Sequence, residues 1–575
     1  MHKLREFTGM LLDGTVPRLR SMFSRSSIFF RKPPRPERRG GVKFLLRKFL
    51  VCHGSSGGGD RFAVRALFVL GAIAVVLAAA PYRIFDLDRF FAPKELALHA
   101  AALALVLLTL RRVKTLELNR IDLLLSLYLS LSFASALFAS DHWLSTRALA
   151  VTLSGAGVFW AARAAANDGG RRMIVAAAAA AAVMGAAASL TQAYGATSDF
   201  FSLNRIPGGT LGNRNFMAHL AALCAPALIH ATITARRSVT AACGAAGMTI
   251  IAAALVLSRS RAAYLGLAVG AMIFTYGFWL ARSRWSDPIT AFRIKCLVLA
   301  AASGILAALL LPNTLEWRSE SPYIDTVAGM VDYRRGSGHG RVVQYARTLR
   351  ITASHPLLGA GPGNWAVIYP KVAAPYDPSI NHANGTTANP WPSSDWMAIL
   401  SERGAPALAA ILLALLGLLA GAWRKAAHAA GIEEYSEGLT LTAVLSVTAV
   451  VACFDAVLLL PAPSFIVWSL FGALAAFSPP RWSAELSQRA LRRLTAAVAL
   501  VGTAAVLRSS GQIAAMALSS KARSAAQCAR AARLDPGNAR IRSRCAALRA
   551  AALRRPDTDP GGPPAAACQN LTPEP

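Results

Sequence analysis

The chain has 575 residues, of which 54% are hydrophobic and only 16% are charged, and its mean hydropathy of +0.42 is too high for an ordinary water-soluble protein. Its formal charge is +32, which in a soluble protein would suggest a nucleic-acid partner. No basic-aromatic module or zinc-ligand spacing accompanies that charge. Cationic loops on the cytoplasmic face of a membrane protein explain the excess, so we expect no nucleic-acid partner.

The N-terminal segment, residues 1–60, carries Arg and Lys throughout and contains the run Gly54-Ser-Ser-Gly-Gly-Gly59. None of its apolar stretches is long enough to cross a membrane. It also lacks the apolar core and small-residue cleavage site of a signal peptide. This composition predicts a basic, disordered cytoplasmic extension.

Apolar stretches of nearly membrane-spanning length recur along most of the remaining chain. A hydrocarbon core of about 30 Å requires roughly 20 apolar residues per helix. We therefore predict an all-α polytopic membrane protein with about 12–13 transmembrane helices, in an N-terminal bundle at 61–311 and a C-terminal group at 396–508. The predicted spans are 62–81, 96–110, 121–138, 148–166, 173–194, 216–235, 239–257, 262–280, 294–311, 396–422, 439–460, 465–477 and 494–507.

The basic loops predict how the chain is oriented. Lys and Arg are concentrated in alternate connections, at 111–120, 163–172, 236–237, 282–293, 424–425 and 481–493. Because such loops are retained in the cytoplasm, this side and the N-terminus are predicted to be cytoplasmic. The opposite connections are then external, and they include a large loop at 312–395 and the tail at 509–575.

The external tail resembles a helical repeat unit. Two Ala-rich helices at 513–555 are separated by Leu534-Asp-Pro-Gly-Asn538, a breaker typical of tetratricopeptide helices. One pair cannot form a superhelical core, so we expect a hairpin packed on the membrane domain rather than a true repeat. Cys528 and Cys545 could form a disulfide there, but we expect two free thiols. The Pro- and Gly-rich end of the tail is predicted to be disordered.

The smaller external insertion reads Asn204-Arg-Ile-Pro-Gly-Gly-Thr-Leu-Gly-Asn-Arg-Asn215 and leads into a helix that Asn215 is expected to cap. The helix N-terminus, with Arg205 and Arg214 nearby, is suited to an anion. An ordinary capped turn with solvated arginines is the alternative.

Next along the chain, Ser258-Arg-Ser-Arg261 joins two apolar stretches. We expect Arg259 to snorkel to the headgroups and Arg261 to point inward.

The long insert contains Gly336-Ser-Gly-His-Gly-Arg341, a helical pattern, and His355-Pro-Leu-Leu-Gly-Ala-Gly-Pro-Gly-Asn-Trp365. Helices alternating with Gly-Pro turns suit a lid over a membrane-embedded pocket. Arg341 could bind a phosphate through two parallel hydrogen bonds, or it could be a plain surface arginine.

Four further candidates lie at or after the end of this insert. Asp395 and Glu402 are seven residues apart, and therefore on one helical face. Asp395 could cap its helix or act in catalysis, and His382 could be a base or merely solvated. Asp455 falls within a predicted span near its external end, so it should face an arginine or a polar cavity.

Together these features resemble the O-antigen ligase and polymerase superfamily, bacterial membrane glycosyltransferases that use polyprenyl-pyrophosphate-linked glycans. The likeness covers residues 62–476 and rests on four stretches in the family's order. These are the segment from Arg205 to Asn215, Ser260-Arg261, Arg341 with the later His355-Pro-Leu-Leu-Gly-Ala-Gly, and Glu402-Arg-Gly404.

The resemblance implies an inverting glycosyl transfer without metal or cofactor in the bacterial inner membrane, with the active site facing outward. Arginines hold the pyrophosphate of the lipid-linked donor while a lipid or polysaccharide hydroxyl attacks the anomeric carbon. By resemblance, Arg205, Arg261 and Arg341 bind the pyrophosphate. Asn213, Asn215, Glu402 and Asp455 shape the pocket.

One departure from the family concerns the base. Ligases usually carry a His-Asn pair nine residues before the glutamate of the Glu-x-Gly motif, where this chain has Ser393-Ser394. Either His382 or Asp395 replaces that base, or a base is dispensable, or the protein uses a different acceptor or has lost activity.

Two other functions compete with a glycan ligase or polymerase, namely a protein O-oligosaccharyltransferase and a transporter or flippase of lipid-linked glycans. Transporters tend to show internal repeats and midplane polar residues, which this sequence does not show clearly.

Overall fold

The structure, a computed structural model, describes residues 56–82, 85, 88–113, 115–282, 287–317, 319–330, 336–381, 385–475 and 480–553. These residues belong to a single unit that begins at Ser56. The predicted basic extension lies outside them except for its last five residues. His382 and residues 554–575 also lie outside the described residues.

The expected all-α polytopic membrane architecture is confirmed, since nine helical stretches among the described residues are long and apolar enough to cross a membrane. In chain order the helices are α1 (Ser56–Leu77), α2 (Ala92–Leu110), α3 (Arg120–Leu137), α4 (His142–Ala165), α5 (Arg171–Ala193), α6 (Arg214–Ile233), α7 (Ser238–Ser258), α8 (Arg261–Ala281), α9 (Pro288–Leu310), α10 (Pro322–Ala328), α11 (Gly336–Ser354), α12 (Trp365–Val372), α13 (Asp395–Ala427), α14 (Ile432–Val451), α15 (Pro461–Leu474), α16 (Gln488–Lys521), α17 (Ala525–Leu534) and α18 (Ala539–Leu553).

Several helices of the bundle are not counted separately among these nine membrane-spanning stretches. The stretch His142–Ala193 holds both α4 and α5, which are separated by a π-helical turn at Ala166–Gly170 where Gly169 has φ +78°. Helix α14 begins with charged residues, and α15 has only 14 residues. Both nevertheless contribute buried side chains to the main core, as α1 does.

Short strands make two small antiparallel pairs. Strand β1 (Thr115–Leu118) precedes α3 and pairs with β4 (Trp482–Glu485), which precedes α16. Strands β2 (Ile380–Asn381) and β3 (Thr386–Thr387) form a hairpin in the long insert. The first pair joins the two predicted transmembrane groups on the side with the basic loops.

Side-chain caps fix where the spanning helices begin. At α3, Asn119 and Asp122 form a reciprocal capping box. At α4, the Asp141 carboxylate accepts hydrogen bonds from the backbone N–H groups of Trp143 and Leu144 at 2.9 and 3.0 Å. A helix end in or near the bilayer has little water for its free N–H groups, so these caps satisfy donors that would otherwise be unpaired.

Small residues set the distance between neighbouring helices. A Cβ atom at Gly304 in α9 would lie only 2.3 Å from the carbonyl oxygen of Thr249 in α7. At Gly472 in α15 it would lie 2.2 Å from the carbonyl oxygen of Phe159 in α4. The alanine- and glycine-rich composition therefore allows the close backbone approach on which helix association in lipid depends.

The long insert is largely helical. It contains α10, α11 and α12, and α11 packs against α13, the first helix after the insert. Tyr345 in α11 donates a hydrogen bond to the carbonyl oxygens of Ser393 and Cys453, each at 2.6 Å. Gln344 accepts one from the backbone N–H of Ser393 at 2.7 Å. Helix α11 is therefore anchored to the start of α13 and to the end of α14.

The C-terminal hairpin consists of α17 and α18 with the Asp-Pro-Gly turn between them. The expectation of two free thiols is wrong, because Cys528 and Cys545 form a disulfide between the two helices. Both cysteines are buried together with Met516 of α16 and Phe85, which lies before α2. Burial brings the two sulfur atoms into contact, which spacing along the chain could not reveal.

Replacing Cys528 with Ser should loosen this hairpin. The disulfide closes a loop over a sequence separation of 17 residues, and cross-links of that size stabilise by about 3 kcal/mol. We expect amide hydrogens of α17 and α18 to exchange faster in the variant, while those of α13 do not change. Cys243→Ser, which alters an exposed free thiol in α7, is the matched control. Equal exchange in both variants would contradict a stabilising role for the disulfide.

Candidate active site at one mouth of the bundle

The glycine-rich insertion before α6 builds one wall of the site. Asn213, and not Asn215 as predicted, caps α6, since its side chain accepts the backbone N–H of Asn215 at 2.9 Å. Both asparagines are half-buried at the helix entrance. Gly212 has φ +79°, and a Cβ there would lie 2.5 Å from the ring of Phe90. Only glycine fits both the left-handed backbone and the close aromatic contact.

Two arginines lie over one tryptophan at this wall, and the charge of a third acts on one of them. The guanidinium carbons of Arg214 and Arg259 lie 5.0 and 4.7 Å from the ring centroid of Trp317. The positive charges of Arg259 and exposed Arg205 both act on Arg214. We call Arg205, Arg214 and Arg259 the outer arginine cluster. Such a concentration of like charge favours an anionic ligand.

Arg259 and Arg261 both contact the long insert. Arg259 was expected to snorkel, but its Nε donates to Thr326 Oγ1 in α10 at 2.8 Å. Arg261 was expected to point inward, and it is half-buried with Nη1 donating to the carbonyl oxygen of Gly329 at 2.6 Å. The junction between α7 and α8 therefore holds the part of the insert that contains α10.

A buried polar group lies beside these arginines. His219 in α6 is 2% exposed, and its Nδ1 lies 3.8 Å from Asp455 Oδ2 while its Nε2 lies 3.3 Å from Ser260 Oγ. The positive charge of Arg341 also acts on His219. We call His219, Ser260, Arg341 and Asp455 the inner polar group. It draws on α6, the start of α8, the insert and the segment after α14.

Arg341 lies in α11 and is half-buried. Its Nε atom is buried and has no hydrogen-bond partner among the described residues. A buried guanidinium donor without a partner is costly in a protein interior. No described contact uses this Nε donor, so Arg341 differs from a plain solvated surface arginine.

Asp455 does not lie within a span as predicted, because α14 ends at Val451 and Asp455 follows in the next turn. Its Oδ1 accepts the backbone N–H of Ala456 at 2.9 Å, and its side chain keeps 16% of its surface exposed. We expected an arginine or a polar cavity beside it. Among the described residues, its ion-pair partner is His219. Asp455 is therefore a carboxylate with an exposed edge.

Asp395 is fully buried, and its carboxylate holds the segment after Asp455. Its Oδ2 accepts the backbone N–H groups of Val457 and Leu458 at 2.7 and 2.9 Å. Of the two roles considered for it, capping of α13 is wrong, because Ser394 is the cap and accepts the N–H of Met397. These contacts favour a structural role for Asp395.

Glu402, which lies two turns after Asp395 on the same face of α13, has a similar role. It is 2% exposed and accepts the backbone N–H groups of Gly363 and Trp365 at 2.8 and 3.2 Å. It shapes the site by fixing the Gly-Ala-Gly-Pro-Gly loop that follows α11. The next residue but one, Gly404, has φ +84° and allows the loop to approach within a distance that a Cβ would not permit.

Three aromatic rings lie beside the entrance to α6. The ring centroids of Phe91 and Phe216 lie 5.4 and 6.3 Å from that of Trp391, and 6.1 Å from each other. Trp391 belongs to the last part of the insert, so this contact joins the insert to α6. Sequence analysis missed both this cluster and His219. The signal for His219 was a titratable residue in an otherwise apolar helix.

Among the described residues, no group of three or more His, Cys, Asp or Glu side chains could hold a metal ion. Residues 246–412 match the model of the O-antigen ligase family. This part of the chain is similar to O-antigen ligase domains. This match supports the expected place in the O-antigen ligase and polymerase superfamily. No curated protein matches the chain.

The O-antigen ligase domain runs from α7 into α13, so it includes Arg259, Arg261 and Arg341 as well as both buried carboxylates of α13. His219 and Asp455 lie on either side of it. The helices are those of a multi-pass membrane protein, and the match supports an O-antigen ligase-like function in polysaccharide biosynthesis. At this level the match supports an enzyme rather than a transporter.

Two substitutions at Asp395 should separate a structural from a chemical role. Asp395→Ala leaves buried N–H groups unpaired and should lower the free energy of unfolding by about 2 kcal/mol or more. Asp395→Asn keeps an acceptor oxygen for Val457 and Leu458, so it should destabilise less and keep much of the activity. Thermal unfolding in detergent measures the first effect, with Ser393→Ala as the control. Complete loss of transfer in a fully stable Asp395→Asn protein would instead assign Asp395 to the chemistry.

Proposed function

We propose that this protein transfers a glycan from a polyprenyl-pyrophosphate donor to a lipid or polysaccharide acceptor at the extracytoplasmic face of the bacterial inner membrane. The observation that carries the proposal is that the inner polar group lies beside arginines of α6, α8 and the long insert. Arg341 acts on the same histidine that lies beside Asp455 and Ser260, and Ser260 directly precedes Arg261. Donor anchoring and acceptor activation can therefore take place at one mouth.

The chemistry requires charge stabilisation more than metal binding. The acceptor hydroxyl oxygen forms a bond to the anomeric carbon from the face opposite the donor phosphate. The bond from that carbon to the phosphate oxygen breaks, and polyprenyl pyrophosphate leaves with the electron pair. Guanidinium groups stabilise the negative charge that develops on this leaving group. We assign Arg341 and Arg261 to the phosphate that carries the sugar, and Arg205 of the outer arginine cluster to the wider entrance.

Asp455 is our candidate for the group that accepts the proton of the acceptor hydroxyl. The position of the family's His-Asn pair holds Ser393-Ser394, and Ser394 is used in capping α13. Asp395 is occupied by backbone N–H groups. Asp455 keeps an exposed edge and has His219 on its other side, 3.8 Å away. We assign His219 to positioning this carboxylate.

Replacing the proposed pyrophosphate ligands one at a time should abolish most transfer. Arg205→Ala, Arg261→Ala and Arg341→Ala should each lower kcat by about 10²-fold or more, as removal of one group that stabilises developing charge does in other enzymes. The assay uses purified protein, a lipid-linked oligosaccharide and a glycan acceptor, with mass analysis of the product. Arg350→Ala, an exposed position on α11, is the control. Full activity in all three variants would defeat the proposal.

Asp455→Asn should lower kcat by about 10²- to 10⁴-fold, the range for loss of a general base, with little change in the KM for the donor. His219→Gln should have a smaller effect of the same kind, because it removes only the neighbour of that carboxylate. Glu320→Gln, which alters an exposed carboxylate of the same insert, should behave as wild type. A raised donor KM with unchanged kcat would place Asp455 in binding instead.

The same assay identifies the class of acceptor. Product on a lipid or polysaccharide supports the proposal. Product on a protein hydroxyl would indicate a protein O-oligosaccharyltransferase. Release of polyprenyl pyrophosphate in detergent, where there is no membrane to cross, separates an enzyme from a flippase.

A further inference from the structure

The C-terminal hairpin carries a positive charge that the proposed reaction does not use. Residues 521–553 contain eight Lys and Arg residues and a single acidic residue, Asp535. Asp535 is buried within the structure and is not available to neutralise them. The hairpin therefore presents a strongly cationic surface.

The hairpin is held firmly at one end of the bundle. Asp535 Oδ1 accepts the indole N–H of Trp143 at 2.6 Å, and Gly537 packs so closely on that ring that a Cβ would lie 2.1 Å from it. Arg508 of α16, the helix before the hairpin, donates to Thr146 Oγ1 at 2.6 Å and to the carbonyl oxygen of Trp143. These contacts fix the turn of the hairpin on the first residues of α4.

Electrostatics support the same docking position. Burial raises the pKa of the Asp88 carboxyl, but Arg147 and, from the hairpin, Arg540 outweigh burial and hold that pKa below its ordinary value. Arg147 also donates to Glu95 at 2.9 Å, so the hairpin touches the charged network just before and within the first turn of α2. Both α2 and α4 are membrane-spanning candidates. The hairpin therefore sits at the level where two spans leave the bilayer.

Four of the other cations of the hairpin are exposed. In α17, Cys528 and Ala531 are buried while Arg530 and Arg533, which are neighbours on one helical face, are exposed. In α18 the exposed Arg542 and Arg549 are seven residues apart and also share a face. None of these four arginines forms an ion pair with another described residue. We call them the hairpin arginines.

We propose that the hairpin arginines bind the anionic phosphate headgroups of the leaflet that they face. Phosphates are present at that depth, and basic side chains near a charged bilayer surface are attracted to it within about one Debye length. Exposed Leu534, at the end of α17, supplies an apolar side chain that can enter the interface beside them. The hairpin thus holds the site's end of the bundle at a fixed depth. This inference does not depend on the proposed glycosyl transfer.

Hydrogen exchange in nanodiscs tests the proposal because it reports on the hairpin alone. The protein is placed in discs of phosphatidylcholine or of phosphatidylglycerol. Amides of α17 and α18 should exchange about tenfold more slowly in the anionic discs, given the attraction expected for several surface arginines. High salt should remove the difference, since it screens exposed charges. Equal exchange in the two kinds of disc at low salt would overturn the proposal.

Three variants identify the residues responsible. Replacing the four hairpin arginines with Gln should abolish the difference between discs, and replacing them with Lys should keep it. A matched control replaces four exposed arginines at the opposite end of α16 or just before it, Arg481, Arg489, Arg492 and Arg493; it should keep the difference. An intact disulfide and unchanged exchange in phosphatidylcholine show that the Gln variant is folded. A difference that survives in the Gln variant, or is lost in the control, would refute the assignment.

A further experiment with a soluble polyanion distinguishes a lipid ligand from an acidic polymer. Protein in detergent is exposed to an acidic polysaccharide, and exchange of the hairpin is measured again. Weak or no protection there agrees with a lipid ligand. Strong protection by the polysaccharide, with none by phosphatidylglycerol discs, would assign the surface to a polymer instead.

Discussion

Two buried carboxylates on one helix hold this site together. Asp395 and Glu402 lie on the same face of α13, and each receives backbone N–H groups from a different loop. A carboxylate within a membrane bundle needs such partners, because neither water nor lipid can replace them. Each loop in turn gains acceptors for N–H groups that would otherwise be buried and unpaired. The positions of both loops are thus tied to a single helix.

What depends on that helix is the placement of groups that are distant in sequence. The loop held by Asp395 follows Asp455 directly, and the loop held by Glu402 follows α11, which carries Arg341. Tyr345 closes the arrangement by bonding to carbonyl groups at the start of α13 and after α14. The insert is therefore packed onto the bundle over a large part of its length. Any lid-like motion of the insert would have to involve the segment that contains α10, rather than α11. Arg259 and Arg261 hold that segment.

The charged groups fall into two kinds that differ in their surroundings. Some deep in the bundle meet their partners within the protein, as with Asp395, whose carboxylate accepts three backbone N–H groups. Those at the mouth keep unused capacity, such as Arg341 Nε. An ionic group deep in the bundle can meet only protein partners, whereas a donor at the mouth can also meet a ligand.

Sequence alone determined the class of the fold, the membrane setting and the likeness to O-antigen ligases, because apolar runs of spanning length and short glycine-arginine motifs are local properties of the chain. It also singled out Arg205, Arg261 and Arg341 as candidates, and it located the helix break at Leu534-Asp-Pro-Gly-Asn538. It could not determine which carboxylates are occupied. Asp395 and Asp455 look alike in sequence, and only packing places one beneath three backbone N–H groups and leaves the other with an exposed edge. His219 and the Cys528–Cys545 disulfide were decided in the same way. Whether a polar side chain meets a partner, a ligand or another sulfur depends on residues brought together from remote parts of the chain, and that is settled only when the helices pack.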